Sequence, residues 1–427
     1  MNGRMRPLPN AAPGWLRRAG RALRRALRLA GRPVRGQRGA GLVVRPFRGV
    51  GSATEVFLTG RVFRQSANPA RPRTLLGDLA DLVRRLTRRG VADVEVHAAF
   101  ARAEQSVVTD DDGYFMVHLH LPEPPPDDRD WHRVTLQVTG GEPAAATGLV
   151  YVPPRHARQL VISDIDDTVM FTGVANKLKM LWRMFMQGPH SRLAFPGVAA
   201  FYRALHDGAG GDERNPMLYV SRGPWALYEA LETFFNLHRI PVGPVLFLRE
   251  WGIKLHRPLP RRARGHKLDV IRRILGVYGD LPVVLIGDSG QHDPEVYARV
   301  VHEHPGRVLA VYIRNVSRGP GRQREIDHLA REVQAAGSTL LLAGDTGAMA
   351  EHALAHGLVA ADAVRAVVGE RRAESDPTAA FYGPPAHAQD AEDLDRVLDG
   401  AGEATTNVEL EPSRANRARA RRESRSL

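Results

Sequence analysis

The 427-residue sequence is 43% hydrophobic, carries a net charge of +13 and contains no cysteine. That length suggests two or three domains, and the missing thiols exclude disulfides and cysteine-held metals and fit a reducing compartment. No apolar run reaches the roughly 18 residues that span a bilayer, and no stretch near the start has the apolar core of a secretory signal, so the sequence predicts a cytoplasmic protein, soluble or peripheral to a membrane.

The placement of the charge says more than its size. Eleven arginines, from Arg4 to Arg38, and no acid precede residue 40, and six more run from Arg414 to Arg425. The remainder is close to neutral, which disfavours a nucleic-acid enzyme with basic residues spread through a folded groove. Within residues 1–40, Trp15, Leu16, Ala19, Leu23, Ala26, Leu27 and Ala30 recur at helical spacing with arginines between them. Residues 14–30 therefore read as a basic amphipathic segment suited to an anionic membrane surface, where each arginine contributes about 1 kcal/mol. A disordered basic leader is the alternative.

Residues 41–152 are rich in β-type patterning, at 42–45, 55–63, 93–100, 114–121 and 134–138, with a helical insert at 75–86. The run Asp110-Asp111-Asp112-Gly113 lies where a hairpin turn is expected, and a small β-sandwich is the natural assembly. From residue 153 to 370 the pattern changes. Short apolar strands at 159–162, 217–220, 245–248, 283–286, 308–313 and 339–342 alternate with helical segments, which predicts a parallel sheet covered on both faces. Residues 371–427 lose apolar periodicity and read as a disordered basic tail, with a short helical stretch at 391–398.

Four places in the second region carry chemistry. The apolar strand at 160–162 runs into Asp164, Asp166 and Asp167. Neighbouring carboxylates are costly to bury without a cation or strong hydrogen bonds, and hard oxygen ligands suit Mg²⁺. A loop turn or a Ca²⁺ site is the alternative for that run alone. Ser221-Arg222-Gly223-Pro224 follows a second strand, where a small hydroxyl, a glycine and the start of a helix can cradle a phosphate. Lys267, at the start of the helical stretch 268–275, can neutralise a phosphate and a carboxylate; Lys254 competes for that role. A further apolar strand ends in Gly287-Asp288, with Asp293 following.

In this order and context the four pieces resemble the motifs of the haloacid-dehalogenase-like phosphatase superfamily. More narrowly, Asp164-Ile165-Asp166-Asp167-Thr168, Ser221-Arg222-Gly223-Pro224, His266-Lys267 and the run from Gly287 to Tyr297 look like the catalytic domain of the actin-patch type of phosphatidate phosphatase. Asp345-Thr346 and His352-Ala353 fit the same family. The resemblance covers roughly residues 155–360 and implies a HAD-like, Rossmann-like catalytic domain preceded by the β-sandwich. It implies that Asp164 attacks phosphorus to form an aspartyl-phosphate, and that Asp166 protonates the leaving group and then activates water. It further implies that Asp164, Asp166 through its carbonyl, Asp288 and Asp293 hold Mg²⁺, and that Ser221, Arg222 and Lys267 bind the phosphate. Asp167 is expected to hydrogen-bond locally.

The stretch 172–196 is a short insert of mixed apolar and basic character, with Lys177, Lys179, Trp182 and Phe185 among its residues. Such an insert leaves a site open to a large or membrane-borne substrate, so a lipid phosphate such as phosphatidate, giving diacylglycerol, is the expected substrate. A soluble phosphomonoester and a membrane-associated binding module with an inactive core are the alternatives. Nothing in the sequence fixes an oligomeric state.

Overall fold

The computed structural model describes residues 41–64, 90–139, 143–165, 197–221, 225, 228–247, 263–317 and 319–375, all within the compact unit Met1–Pro377. The expectations for residues 1–40, 75–86, 172–196 and 391–398, and for Asp166, Asp167, Arg222 and Lys254, lie outside the described residues. The described chain is an α/β protein with one mixed and one parallel sheet.

The mixed sheet contains β1 (Leu42–Pro46), β2 (Gly49–Gly51), β3 (Glu55–Arg64), β4 (Glu95–Phe100), β5 (Ala103–Val108), β6 (Tyr114–His120), β7 (Trp131–Thr139) and β8 (Ala145–Tyr151). Its order is β1-β3-β2-β8-β7-β4-β5, with β6 paired to β3. Strands β2 and β8 run parallel, whereas β3 with β6 and β7 with β8 run antiparallel. Alternation at period two drives the burial: in β7, His132, Val134, Leu136 and Val138 are buried and the residues between them are not. Val134, Leu136 and Val138 join Val56, Leu58, Val96 and Val117 in one apolar cluster.

The turn expected at 110–113 forms. Gly113 adopts φ 81°, its N–H donates to Asp110 O at 2.9 Å, and Asp110 Oδ1 accepts from the N–H groups of Asp112 and Tyr114. The strands it joins do not form a hairpin ladder, because β5 pairs with β4 and β6 with β3. The chains diverge at Thr109, whose N–H donates to Val94 O and whose hydroxyl donates to Val91 O. The tight hairpin is instead the one between β4 and β5, where Phe100 pairs with Ala103.

The parallel sheet contains β9 (Leu160–Asp164), β10 (Met217–Ser221), β11 (Val245–Phe247), β12 (Val283–Asp288), β13 (Val308–Arg314) and β14 (Leu340–Ala343), in the order β11-β10-β9-β12-β13-β14. All neighbouring pairs are parallel. Helices α1 (Val198–Asp207), α2 (Tyr228–Leu237), α3 (Ala263–Val277), α4 (Asp293–Glu303), α5 (Pro320–Ala335), α6 (Thr346–Ala355) and α7 (Ala361–Ser375) accompany it. Every residue of β12 is buried, as expected of a central strand covered on both sides. Val284 and Ile286 pack with α1, α2, α6 and α7, and Val283 and Leu285 pack with α3, α4 and α5. Helix α7 runs past residue 370 to Ser375, beyond the point where apolar periodicity fades.

The two sheets are joined by specific contacts. Phe47, between β1 and β2, stacks on Trp225 with ring centroids 3.9 Å apart. The Arg48 N–H donates to the Tyr228 hydroxyl at 2.9 Å, and its guanidinium pairs with Glu232 at 2.7 Å. The Tyr151 hydroxyl donates to Arg214 O at 2.6 Å.

Candidate active site

The strand order fixes where a site can form. Strand β9 comes first in the chain but lies in the middle of the parallel sheet. From it the chain builds outward through β10 and β11 on one side and through β12, β13 and β14 on the other. The crevice between β9 and β12 is thus the topological switch point, where ligands bind open α/β sheets at the carboxyl ends of the strands. Asp164 ends β9 and Asp288 ends β12.

The structure brings these together with Asp293, one ligand oxygen of each residue lying within 4.8 Å of the others. Lys267 completes the group. Its ammonium lies 2.9 Å from Asp164 Oδ1 and 2.5 Å from Asp293 Oδ1, and its side chain is only 1% exposed. Burial by itself lowers a lysine pKa, but the charges of Asp164 and Asp293 more than offset it, and the net shift is upward. Lys267 is therefore cationic at neutral pH. It sits in the second turn of α3, and the ring of Tyr297 lies beneath its ammonium at 5.4 Å. The Tyr297 hydroxyl is itself tied to Ile286 O at 2.9 Å.

Local sequence accounts for the positions of the two later acids. Asp293 is fully buried in the first turn of α4, where the helix dipole favours a negative charge. Its Oδ2 accepts from the Asp288 N–H at 3.1 Å. A side chain on Gly287 would run into that carboxylate, since a Cβ there would lie 2.3 Å from Asp293 Oδ2; this is the reason for glycine before Asp288. Asp288 Oδ1 accepts from the N–H groups of Gly290 and Gln291 at 2.8 and 3.2 Å, which aims the carboxylate. Ser221 is buried at the end of β10, one residue past Val220, the register partner of Asp164.

Supporting residues that motif reading missed surround this centre. Arg322 on α5 donates to Ser289 O at 3.0 Å and Gln291 O at 2.5 Å, and pairs with Glu295 at 2.5 Å. It braces the loop that carries Asp288. The buried Ser289 hydroxyl accepts from the N–H groups of Val316 and Ser317. Ser163 bonds the Tyr202 hydroxyl at 2.7 Å behind Asp164. Arg322 lies far along the chain from the loop it braces, and no local pattern marks it. Tyr297 stood within the motif run but had no role that spacing could reveal.

Fold and site together define an α/β domain with a lysine-braced acidic centre at its switch point, whose donor set fits a hard divalent cation. Residues 159–315 match the family model described as the phosphatidate phosphatase APP1 catalytic domain. Two curated relatives are similar in sequence. Phosphatidate phosphatase APP1 of Saccharomyces cerevisiae is 31% identical over 36% of this chain and 25% of its own length. An uncharacterized protein of Schizosaccharomyces pombe is 28% identical over 54% of this chain and 39% of its own. The chain thus spans well under half the length of these relatives. Among solved structures, a carbohydrate acetylesterase from Xanthomonas citri aligns over 66% of this chain and 72% of its own at 11% identity, with a TM-score of 0.22.

Proposed function

We propose that this protein is a Mg²⁺-dependent phosphatase that hydrolyses a lipid phosphomonoester, phosphatidate, through an aspartyl-phosphate on Asp164. The observation that carries the reading is the convergence of Asp164, Asp288 and Asp293 on one point, braced by Lys267. The substrate class rests on the match of residues 159–315 to the phosphatidate phosphatase APP1 catalytic domain. Asp164, Asp166 through its carbonyl, Asp288 and Asp293 would hold the ion. When bound, Mg²⁺ supplies the positive charge that lets an anionic ester approach a carboxylate nucleophile.

The chain's own residues then divide the work. An Asp164 oxygen forms a bond to phosphorus as the ester P–O bond breaks, and Asp166 gives its proton to the departing alkoxide. Asp166 next removes a proton from water, which attacks the phosphorus of the aspartyl-phosphate and frees inorganic phosphate and Asp164. Splitting the displacement in two lowers each barrier. Ser221, Arg222 and Lys267 hold the phosphoryl oxygens, since phosphoryl transfer depends on positioning and charge neutralisation. In this reading the catalytic domain, residues 153–370, is HAD-like, and residues 41–152 form a β-sandwich that packs on it through Phe47 and Arg48. The basic segment 14–30 draws the protein to anionic membrane from the cytoplasm. Among the described residues no helix is long and apolar enough to cross a membrane.

Phosphate release from phosphatidate in mixed detergent micelles tests this, against soluble phosphomonoesters and with Mg²⁺ or chelator. Lipid-selective, Mg²⁺-dependent release that Asp164→Asn abolishes is the expected result. Equal rates for Asp164→Asn and the parent overturn the nucleophile, and indifference to the lipid overturns the substrate.

A further inference from the structure

A second set of metal-ligating side chains meets on the mixed sheet. The antiparallel register of β3 and β6 sets Glu55 opposite His120 and Phe57 opposite His118. These four share one face, while Val56, Val117 and Leu119 between them enter the apolar core. His118 Nε2 lies 2.7 Å from Glu55 Oε2, and the rings of His118 and His120 are 4.3 Å apart. One ligand atom from each of Glu55, His118 and His120 lies within 4.8 Å of the others. The His118 ring stacks on Phe57 at 3.9 Å, and its backbone N–H donates to Gln105 Oε1 at 2.8 Å, so the central ligand is held from two directions.

We propose that Glu55, His118 and His120 form a binding site for a borderline divalent transition-metal ion, with Zn²⁺ as the type. Two imidazoles at alternate positions of one strand project to the same side, and a carboxylate from the neighbouring strand closes a set of three protein ligands. That number leaves a fourth position for water or another ligand, the layout of an open zinc site. Imidazole nitrogen selects Zn²⁺, Cu²⁺ or Ni²⁺ over Mg²⁺, whereas the carboxylate centre at Asp164 selects a hard cation. The chain thus sorts two metals by donor chemistry. The ion also cross-links β3 to β6, whose partially exposed Glu55–His118 pair contributes little alone. His120 meets that pair through its ring contact with His118 and completes the donor set.

The test uses the full chain, stripped of metal and held in excess Mg²⁺. Zn²⁺ is titrated in competition with a chromophoric chelator, and Co²⁺ loading gives visible ligand-field bands as a second readout. His120→Ala is the main variant, because His120 is exposed and its loss leaves the core intact. Asp288→Asn reports on the acidic centre, and His356→Ala on the stacked His352–His356 pair at 4.0 Å. The parent, Asp288→Asn and His356→Ala proteins are expected to bind one Zn²⁺ more than His120→Ala, and Glu55→Gln to weaken that binding at least tenfold. Equal binding by His120→Ala and the parent overturns the site, as does loss of the ion in Asp288→Asn or His356→Ala. The outcome is independent of phosphatase activity.

Discussion

Replacing Lys267 with methionine keeps the aliphatic stem and removes the charge that sits between Asp164 and Asp293. Removing one partner of a buried ion pair costs about 3–5 kcal/mol. Protonation sets a ceiling, because a carboxylate left without its lysine can take up a proton. For an aspartate with an ordinary pKa near 4, that costs about 4 kcal/mol at pH 7 and about 1.5 kcal/mol at pH 5. The deficit of Lys267→Met is therefore expected near 3–4 kcal/mol at pH 7 in chelator and to shrink to less than half of that at pH 5. Saturating Mg²⁺ gives the carboxylates another partner and narrows it further. The alkaline limb has the opposite sign. The folded pKa of Lys267 lies above its unfolded value of 10.5, so its contribution is fully present below that pH and is lost as pH climbs through the folded value. Urea unfolding of parent and variant at pH 5, 7 and 11 reads all of this. A difference under about 1 kcal/mol at pH 7 in chelator, or equal deficits at pH 5 and 7, would refute the reasoning.

Arg322→Ala frees the loop at Ser289 and Gln291, and loss of such a positioning residue is expected to weaken Mg²⁺ affinity about 10–100-fold, measured by calorimetric titration, with far-ultraviolet circular dichroism unchanged. Tyr297→Phe removes the bond to Ile286 O and is expected to cost about 1–3 kcal/mol in urea unfolding, because the carbonyl is left buried. Phe47→Ala deletes the ring stacked on Trp225 and is expected to cost about 3–5 kcal/mol; unfolding followed by tryptophan fluorescence reports the loss. In Glu303 the Arg272 hydrogen bonds, aided by Arg299, hold the carboxyl down to about 2 against an ordinary 4.5. A depressed pKa stabilises above the unfolded value and is lost on acidification, so Glu303→Gln is expected to flatten the stability decline between pH 4.5 and 2, by under about 1 kcal/mol given solvent screening.

Legibility in the sequence followed the strength of the local signal. All six parallel strands were readable, because each centres on a short apolar run, and the inner strands β9, β10 and β12 are almost wholly buried. In the mixed sheet β2, β5 and β8 were not. Strand β2 has three residues, two of them glycine, β5 alternates Glu104, Gln105 and Ser106 along an exposed edge, and Thr147 and Gly148 interrupt the apolar pattern of β8. Asp164, Lys267, Asp288 and Asp293 were legible because strand-end acids and a lysine in fixed order have few structural uses. Arg322 and the Phe47–Trp225 stack were not, since both depend on contacts between residues far apart in the chain. The Glu55–His118–His120 set hid for the same reason: the histidine spacing is local, but only the β3–β6 register brings in the glutamate.

In the proposed function, the charge at the acidic centre gives a lysine and a divalent cation separate parts to play. Among the described residues, three carboxylates against one ammonium leave two net negative charges in the crevice. An ammonium alone cannot neutralise that, and a phosphate ester would meet repulsion in a medium where charges interact far more strongly than in water. A divalent ion without the lysine would have to satisfy all three acids itself. With the lysine spanning Asp164 and Asp293, and backbone N–H groups turning Asp288, the carboxylates would keep oxygen to share with an ion while one stayed oriented for the proposed attack. On this proposal the lysine would hold the acids close enough together for the ion to bind, and the ion would make their closeness tolerable to an anionic substrate.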